Sequence, residues 1–193
     1  MLSSTRNLPE SGFSTGLAFI ALRLRNCGQH SLSVSIPELE QIIPLELRDS
    51  DNYWYGLTLR ARPIIYAKDR VSPGELSTYE GLADAQWNGR ICLRSSQSVY
   101  NQSLVAATID AIGAEATQQW VQGMVNNLAK QPSGGDTDQL KAVAAGVCDV
   151  TIANTYYLAR LINSSKPADQ AVASKLAVFW PNQMGAGVAG RGA

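Results

Sequence analysis

The sequence predicts an α/β fold, and three observations carry that prediction. Short apolar runs bounded by turn residues recur along the chain, among them Pro63-Ile64-Ile65-Tyr66 and Val147-Cys148-Asp149-Val150-Thr151-Ile152-Ala153. Between them lie longer segments whose apolar residues fall at helical spacing. Strand-like and helix-like segments alternate through short connections, which is the pattern of a largely parallel sheet flanked by helices.

Taken in order, residues 36–45 are interrupted by Pro37 and Pro44 and read as irregular, and Asp49-Ser50-Asp51-Asn52 reads as a turn. Residues 57–62 read as extended and lead into the buried strand that begins at Pro63. A further strand covers Ile91-Cys92-Leu93 and runs through a polar loop into a helix. Residues 103–113 and 115–128 are helical by their apolar spacing, with Leu104, Ala107, Ile109 and Ile112 in the first and Ala116, Trp120, Val121 and Met124 in the second. The tryptophan and the methionine are read as core. Lys130 to Thr137 is a loop with an N-cap signal, and the helix of residues 138–145 that follows ends at Gly146. Strand 147–153, a helix that starts around Tyr156, a polar loop at 163–167 and a strand at 176–180 complete the series.

Composition fits one sizeable globular unit: 193 residues, 45% hydrophobic and 17% charged. Sixteen Lys+Arg balance sixteen Asp+Glu without a basic run, so no nucleic-acid partner is expected. The apolar stretch Gly16-Leu17-Ala18-Phe19-Ile20-Ala21-Leu22 is far shorter than the roughly 20 residues that span a bilayer. It makes a poor signal peptide too, because Glu10 precedes it and Arg23 and Arg25 follow. No enzyme is expected: GxSxG, P-loop and GxGxxG motifs are lacking, and Ser95 and Ser96 have no nearby histidine base. Gly134-Gly135-Asp136 reads as a plain loop rather than an anion site, and Asp149 as a surface or turn residue. His30, in Asn26-Cys27-Gly28-Gln29-His30-Ser31, reads as a loop histidine. If their strands are neighbours, Cys92 and Cys148 are placed to bridge, although two buried free thiols fit the sequence as well; Cys27 is then left over.

The chemistry concentrates in Asn154-Thr155-Tyr156-Tyr157-Leu158-Ala159-Arg160, where a strand delivers two adjacent phenols to a helix start. Asn154 and Thr155 are competent caps, so the positive helix end lies beside both rings and favours phenolate. A phenol ionises near pKa about 10, so a phenolate pair at neutral pH calls for a bound cation. Ferric iron, hard and oxygen-seeking, is the natural candidate. The default alternative is a pair of buried rings with hydrogen-bonded hydroxyls. Tyr100 brings a third phenol from a second strand end, and carboxyl ends of strands converge on one crevice in open α/β sheets. Arg160 lies one turn beyond Tyr156 on the same helix face.

Several runs carry a family resemblance: Tyr53-Trp54-Tyr55-Gly56-Leu57-Thr58-Leu59-Arg60-Ala61-Arg62, Leu76-Ser77-Thr78-Tyr79-Glu80-Gly81-Leu82-Ala83-Asp84, Trp87-Asn88-Gly89-Arg90-Ile91-Cys92-Leu93-Arg94-Ser95-Ser96, Tyr100-Asn101-Gln102-Ser103-Leu104, Asn154-Thr155-Tyr156-Tyr157-Leu158 and Phe179-Trp180-Pro181-Asn182-Gln183. From about Ile36 to Gln183 the chain resembles the periplasmic ferric-ion-binding proteins of bacterial iron ABC transporters, in the tyrosine-rich cyanobacterial, iron-deficiency-induced form. The resemblance implies a type II periplasmic-binding-protein lobe with an incomplete second lobe. It divides the chain into residues 1–56, a divergent N-terminus and first-lobe remnant; 57–62, a hinge strand; 63–183, the second lobe; and 184–193, a divergent tail. It implies Fe(III) held by Tyr100, Tyr156 and Tyr157, charge balance from Arg60 and Arg160, water or a small anion as co-ligand, a periplasmic location, and delivery to an inner-membrane ABC permease. The ends depart from the family pattern, as a fragment of a longer protein would. The alternative function is a non-metal solute-binding or ligand-sensing module of the same fold, with the tyrosines lining an organic-ligand cleft.

Overall fold

The computed structural model describes residues 17–23 and 33–183, so the expectations for His30, Cys27 and the tail at 184–193 lie outside the described residues. A central sheet has the order β4-β5-β3-β6, formed by β3 (Ile64–Ala67), β4 (Ile91–Cys92), β5 (Val150–Ile152) and β6 (Leu176–Phe179). β4 runs parallel to β5, whereas β3 is antiparallel to both β5 and β6. Three strands therefore share one direction, but β3 lies inside the sheet and runs against them, so two of the sheet's three pairings are antiparallel and it is mixed rather than largely parallel as expected. That reversal matters for function: the start of β3 lies beside the carboxyl ends of β4 and β5, so the residues that precede Ile64 reach the same edge as the loops after Cys92 and Ile152.

β3 is buried throughout, and its side chains divide between two cores. Ile64 and Tyr66 join Ile91, Val150 and Ile152 on one face, beneath α2 (Val99–Ile112) and α3 (Ala114–Asn126). Ile65 and Ala67 join Cys92, Cys148 and Ala153 on the other, beneath α4 (Asp136–Ala144), α5 (Thr155–Ile162) and α6 (Pro167–Ser174). Trp120 and Met124 are buried in the first core, as read from the sequence, and Trp120 Nε1 donates to the Tyr79 carbonyl at 2.8 Å. Gly123 lets α3 press against the 80–83 turn, because a Cβ there would lie 2.6 Å from the Ala83 methyl.

Several boundaries move. Residues 36–45, expected to be irregular, contain α1 (Pro37–Ile42): Pro37 occupies its first turn, where a missing N–H costs nothing. α6 was hidden for the same reason, since Pro167 opens the helix rather than ending a loop. α2 begins at Val99 instead of residue 103, capped by Ser98, whose Oγ accepts from the Tyr100 N–H at 3.3 Å. Its inward residues are Leu104 and Thr108, while Ile109 and Ile112 are exposed at 44% and 39%. α4 ends at Ala144 and the chain turns through Gly146 at φ +81°. β2 (Trp54–Ala61) pairs antiparallel with β1 (Leu17–Arg23), so the apolar stretch near the start is a strand. Among the described residues no helix is long and apolar enough to cross a membrane.

The sheet edge opposite the tyrosines is clamped twice. Asp149 accepts from Arg70 Nε at 2.8 Å and from Arg90 Nε at 2.7 Å, which locks the end of β3 to the starts of β4 and β5. It is thus a structural carboxylate rather than a plain turn residue. Beside it, Cys92 and Cys148 are joined in a disulfide with Cα atoms 5.8 Å apart. Partial burial pushes the Asp149 carboxyl upward, but the hydrogen bonds and charges of Arg90 and Arg70 outweigh it and hold the group below the ordinary carboxylate range.

Two expectations follow. A depressed native carboxyl stabilises the fold above the unfolded value of about 3.9, and that contribution is lost as pH falls through the lower native value. Urea unfolding from pH 7 to 3 should therefore show an acid loss of stability that D149N flattens, with the variant lower by about 1–3 kcal/mol at neutral pH. The second concerns the disulfide, whose cysteines are 56 residues apart: C92S/C148S should lose roughly 4 kcal/mol in the same assay on the chain-entropy scale.

Candidate metal centre

The loops at the carboxyl ends of β4 and β5 deliver the predicted phenols. Tyr100 lies in the first turn of α2, and Tyr156 and Tyr157 in the first turn of α5. The structure brings all three together: the Tyr156 and Tyr100 hydroxyls are hydrogen-bonded at 3.1 Å, and the Tyr156 and Tyr157 ring centroids are 4.3 Å apart. All three tyrosines are half-buried. The hydrogen bond with Tyr156 pushes the Tyr100 phenol above its usual pKa, helped by burial and by the charge of Tyr156. A hydrogen bond from Tyr157 and the charge of Arg60 act in the opposite direction without cancelling it.

The two arginines named from the sequence are both present. Arg60, near the end of β2, places its guanidinium carbon 5.4 Å from the centroid of the Tyr156 ring, and exposed Arg160 lies 5.8 Å from that of Tyr157. Both guanidinium groups thus make cation–π contacts with the phenol rings. Two further arginines, quoted in the sequence motifs without a role, flank Tyr100: Arg94 at 5.2 Å and Arg62 at 5.7 Å from its ring centroid.

Beneath the phenols lies a buried polar network that the sequence reading missed. Arg62 and Asp136 are 1% and 0% exposed and pair at 2.7 Å. Arg62 also donates to Asn101 Oδ1 at 2.7 Å and to Asn154 Oδ1 at 3.3 Å. Asp136 accepts from the Asn154 backbone N–H at 2.9 Å and from Arg94 at 3.3 Å. Asp136 stands in the first turn of α4, so this one network touches the amino-terminal ends of α2, α4 and α5. The Gly134-Gly135-Asp136 loop therefore supplies a buried carboxylate, and Asn154, expected as a side-chain cap, makes no cap hydrogen bond because its amide is engaged by Arg62. Its Nδ2 faces the Tyr156 oxygen at 3.4 Å. The available signal was an arginine and an aspartate bordering apolar strands and helices, where an unpaired charge is not tolerated.

Among the described residues no trio of His, Cys, Asp or Glu side chains comes together to hold a metal ion. The oxygen cluster is phenolic. Residues 24–191 match the family described as bacterial extracellular solute-binding protein. The chain belongs to that family. Iron uptake protein A1 from Synechocystis is 52% identical over 149 residues, 77% of this chain and 41% of that protein. Among solved structures, Trichodesmium IdiA (FutA) in complex with iron and citrate ligands is 51% identical with a TM-score of 0.76, over 79% of this chain and 48% of the other. Apo FutA2 from Synechocystis is 50% identical with a TM-score of 0.77, over 80% and 49%. The chain thus spans less than half the length of these solute-binding relatives. Their fold agrees with the type II assignment, and the motif resemblance points to the same group of proteins.

One expectation follows from the tyrosine network. Since the hydrogen bond with Tyr156 is the largest influence raising the Tyr100 phenol, Y156F should bring the Tyr100 titration down toward the ordinary value of about 10. Ultraviolet tyrosinate titration of Y156F against Y156F/Y100F reads that group directly.

Proposed function

We propose that this chain is the tyrosine-bearing lobe of a solute-binding component of an iron ABC transporter, and that it captures Fe(III) through the phenolates of Tyr100, Tyr156 and Tyr157. The observation that carries the reading is the convergence of three phenols from two strand ends, with the Tyr156 and Tyr100 oxygens 3.1 Å apart. Phenolate oxygens are hard, anionic donors and suit a hard trivalent cation. Three of them match its charge. Arg60 and Arg160 assist by favouring the ionised rings. The names of the relatives speak for iron over an organic solute.

On this reading residues 63–183 form the second lobe, 57–62 the hinge strand between lobes, and residues up to 56 belong with the first lobe. Water, a small anion or groups of the first lobe fill the remaining coordination positions, and a membrane permease receives the ion. The Cys92–Cys148 disulfide and the extracellular family description support a periplasmic setting. Phenols are protonated at neutral pH, Tyr100 the more so because its pKa is raised, so binding iron as phenolates expels protons and apparent affinity rises with pH.

Titrating the purified chain with ferric citrate should give a visible phenolate-to-iron charge-transfer band, with proton release in a pH-stat. The band should disappear in Y156F/Y157F and weaken in Y100F. A folded parent that stays colourless would refute the assignment.

A further inference from the structure

We propose that Asn154 is a positioning residue for the metal site: its side-chain amide, aimed by buried Arg62, donates a hydrogen bond to the Tyr156 oxygen and sets that ligand's direction and donor strength. This inference rests on the ferric reading above and deepens it.

Asn154 is fully buried, and every polar end of it is assigned. Its backbone N–H goes to Asp136 Oδ2 at 2.9 Å. Its Oδ1 accepts from Arg62 Nη1 at 3.3 Å, and because a guanidinium has donors only, that contact decides which end of the amide is oxygen. The NH2 end is thereby turned toward Tyr156, 3.4 Å from the phenolic oxygen. Arg62 cannot swing to release it, since the same guanidinium is held by Asp136 at 2.7 Å and by Asn101 at 2.7 Å. An asparagine at this helix position ordinarily uses its side chain to cap the first turn, and here it does not. The side chain faces the site instead of its own helix.

The hydrogen-bond directions make the contact compatible with metal binding. In the free protein the Tyr156 oxygen is hydrogen-bonded to the Tyr100 hydroxyl and accepts from Asn154. When the two phenols lose their protons and a cation takes their place, the bond between them is lost, whereas the bond from Asn154 needs only a lone pair and persists. A donor on a metal-bound phenolate withdraws electron density from it and raises the energy of its charge-transfer transition. Partners of this kind, one step out from the ion, typically change metal affinity by 10–100-fold when removed.

The test compares N154A and N154D with the parent chain, each loaded from ferric citrate. N154D keeps the shape and the acceptor for Arg62 but presents oxygen, not N–H, to Tyr156. Both variants should show the visible band moved to longer wavelength, N154D at least as far as N154A, and should give up iron to excess citrate about tenfold more readily. Added negative charge alone would favour a cation, so weaker retention in N154D reports the lost donor. Apo melting curves identify any variant that fails to fold, and N154D carries the comparison if N154A does. A band and an iron retention in N154D equal to those of the parent would reduce Asn154 to an anchor for Arg62 and overturn the proposal. A colourless parent would overturn the ferric reading and this inference with it, whereas a coloured parent with unmoved variants overturns this inference alone.

Discussion

The arrangement of the site depends on the ion pair between Arg62 and Asp136. Both side chains are withdrawn from water, which is costly for any charge, and the cost is offset only because nearly all their polar atoms meet directed partners. Such a pair is weak evidence of stability, since an apolar pair of similar volume often serves a fold as well. Its value is directional. Deleting one member of a buried pair leaves an uncompensated charge, typically at 3–5 kcal/mol, so the two must remain in register. Through Asn101, Asp136 and Asn154 that register is passed to the amino-terminal turns of α2, α4 and α5, and the first and last of these carry the phenols.

Arg62 reaches this position because of the one reversed strand. Had β3 run parallel to its neighbours, the residue before it would lie at the far edge of the sheet, beside Asp149. Antiparallel pairing of Ile64 with Ile152 instead sets Arg62 under the tyrosines, and the Pro63 carbonyl accepts from the Ala153 N–H at 3.3 Å. The two sheet edges are built differently. The far edge is closed by Asp149, its two arginines and a disulfide, which fix strand ends to one another. The near edge is held by polar side chains that orient the helix starts carrying the half-buried tyrosines.

The layers, most helices and the three phenols were legible in the sequence because they rest on periodic burial and on residues with distinctive chemistry. Tyr156 and Tyr157 are adjacent in sequence, and Tyr100 follows another strand end, so strand order alone brings them to one edge. The Arg62–Asp136 pair was not legible, since its members are 74 residues apart and the runs that contain them give no sign that they pair. The sequence reading of Asn154 as a cap used sound local chemistry; a stronger, non-local donor in Arg62 overrode it. Helices α1 and α6 were missed because each opens on a proline, which marks a break or a first turn with equal force until the following residues are seen packed.

On the ferric reading, the site is balanced between two hydrogen-bonded states. Without metal, the Tyr156 and Tyr100 hydroxyls are hydrogen-bonded to each other, and that contact together with burial holds the Tyr100 phenol above its normal pKa, so the cluster has little reason to ionise. The guanidinium groups over the rings pull the other way, and each gains when the ring beneath it becomes anionic. Neither influence is large alone: a net hydrogen bond is worth about 1 kcal/mol, and an exposed cation–π contact about as much. A cation must therefore supply most of the energy of deprotonation itself. Fe(III) polarises bound oxygens far more strongly than a divalent ion does, so the same three phenols discriminate by charge before any shape is considered. The arginines sharpen that selection, because a weakly bound cation meets their repulsion without the compensating phenolates.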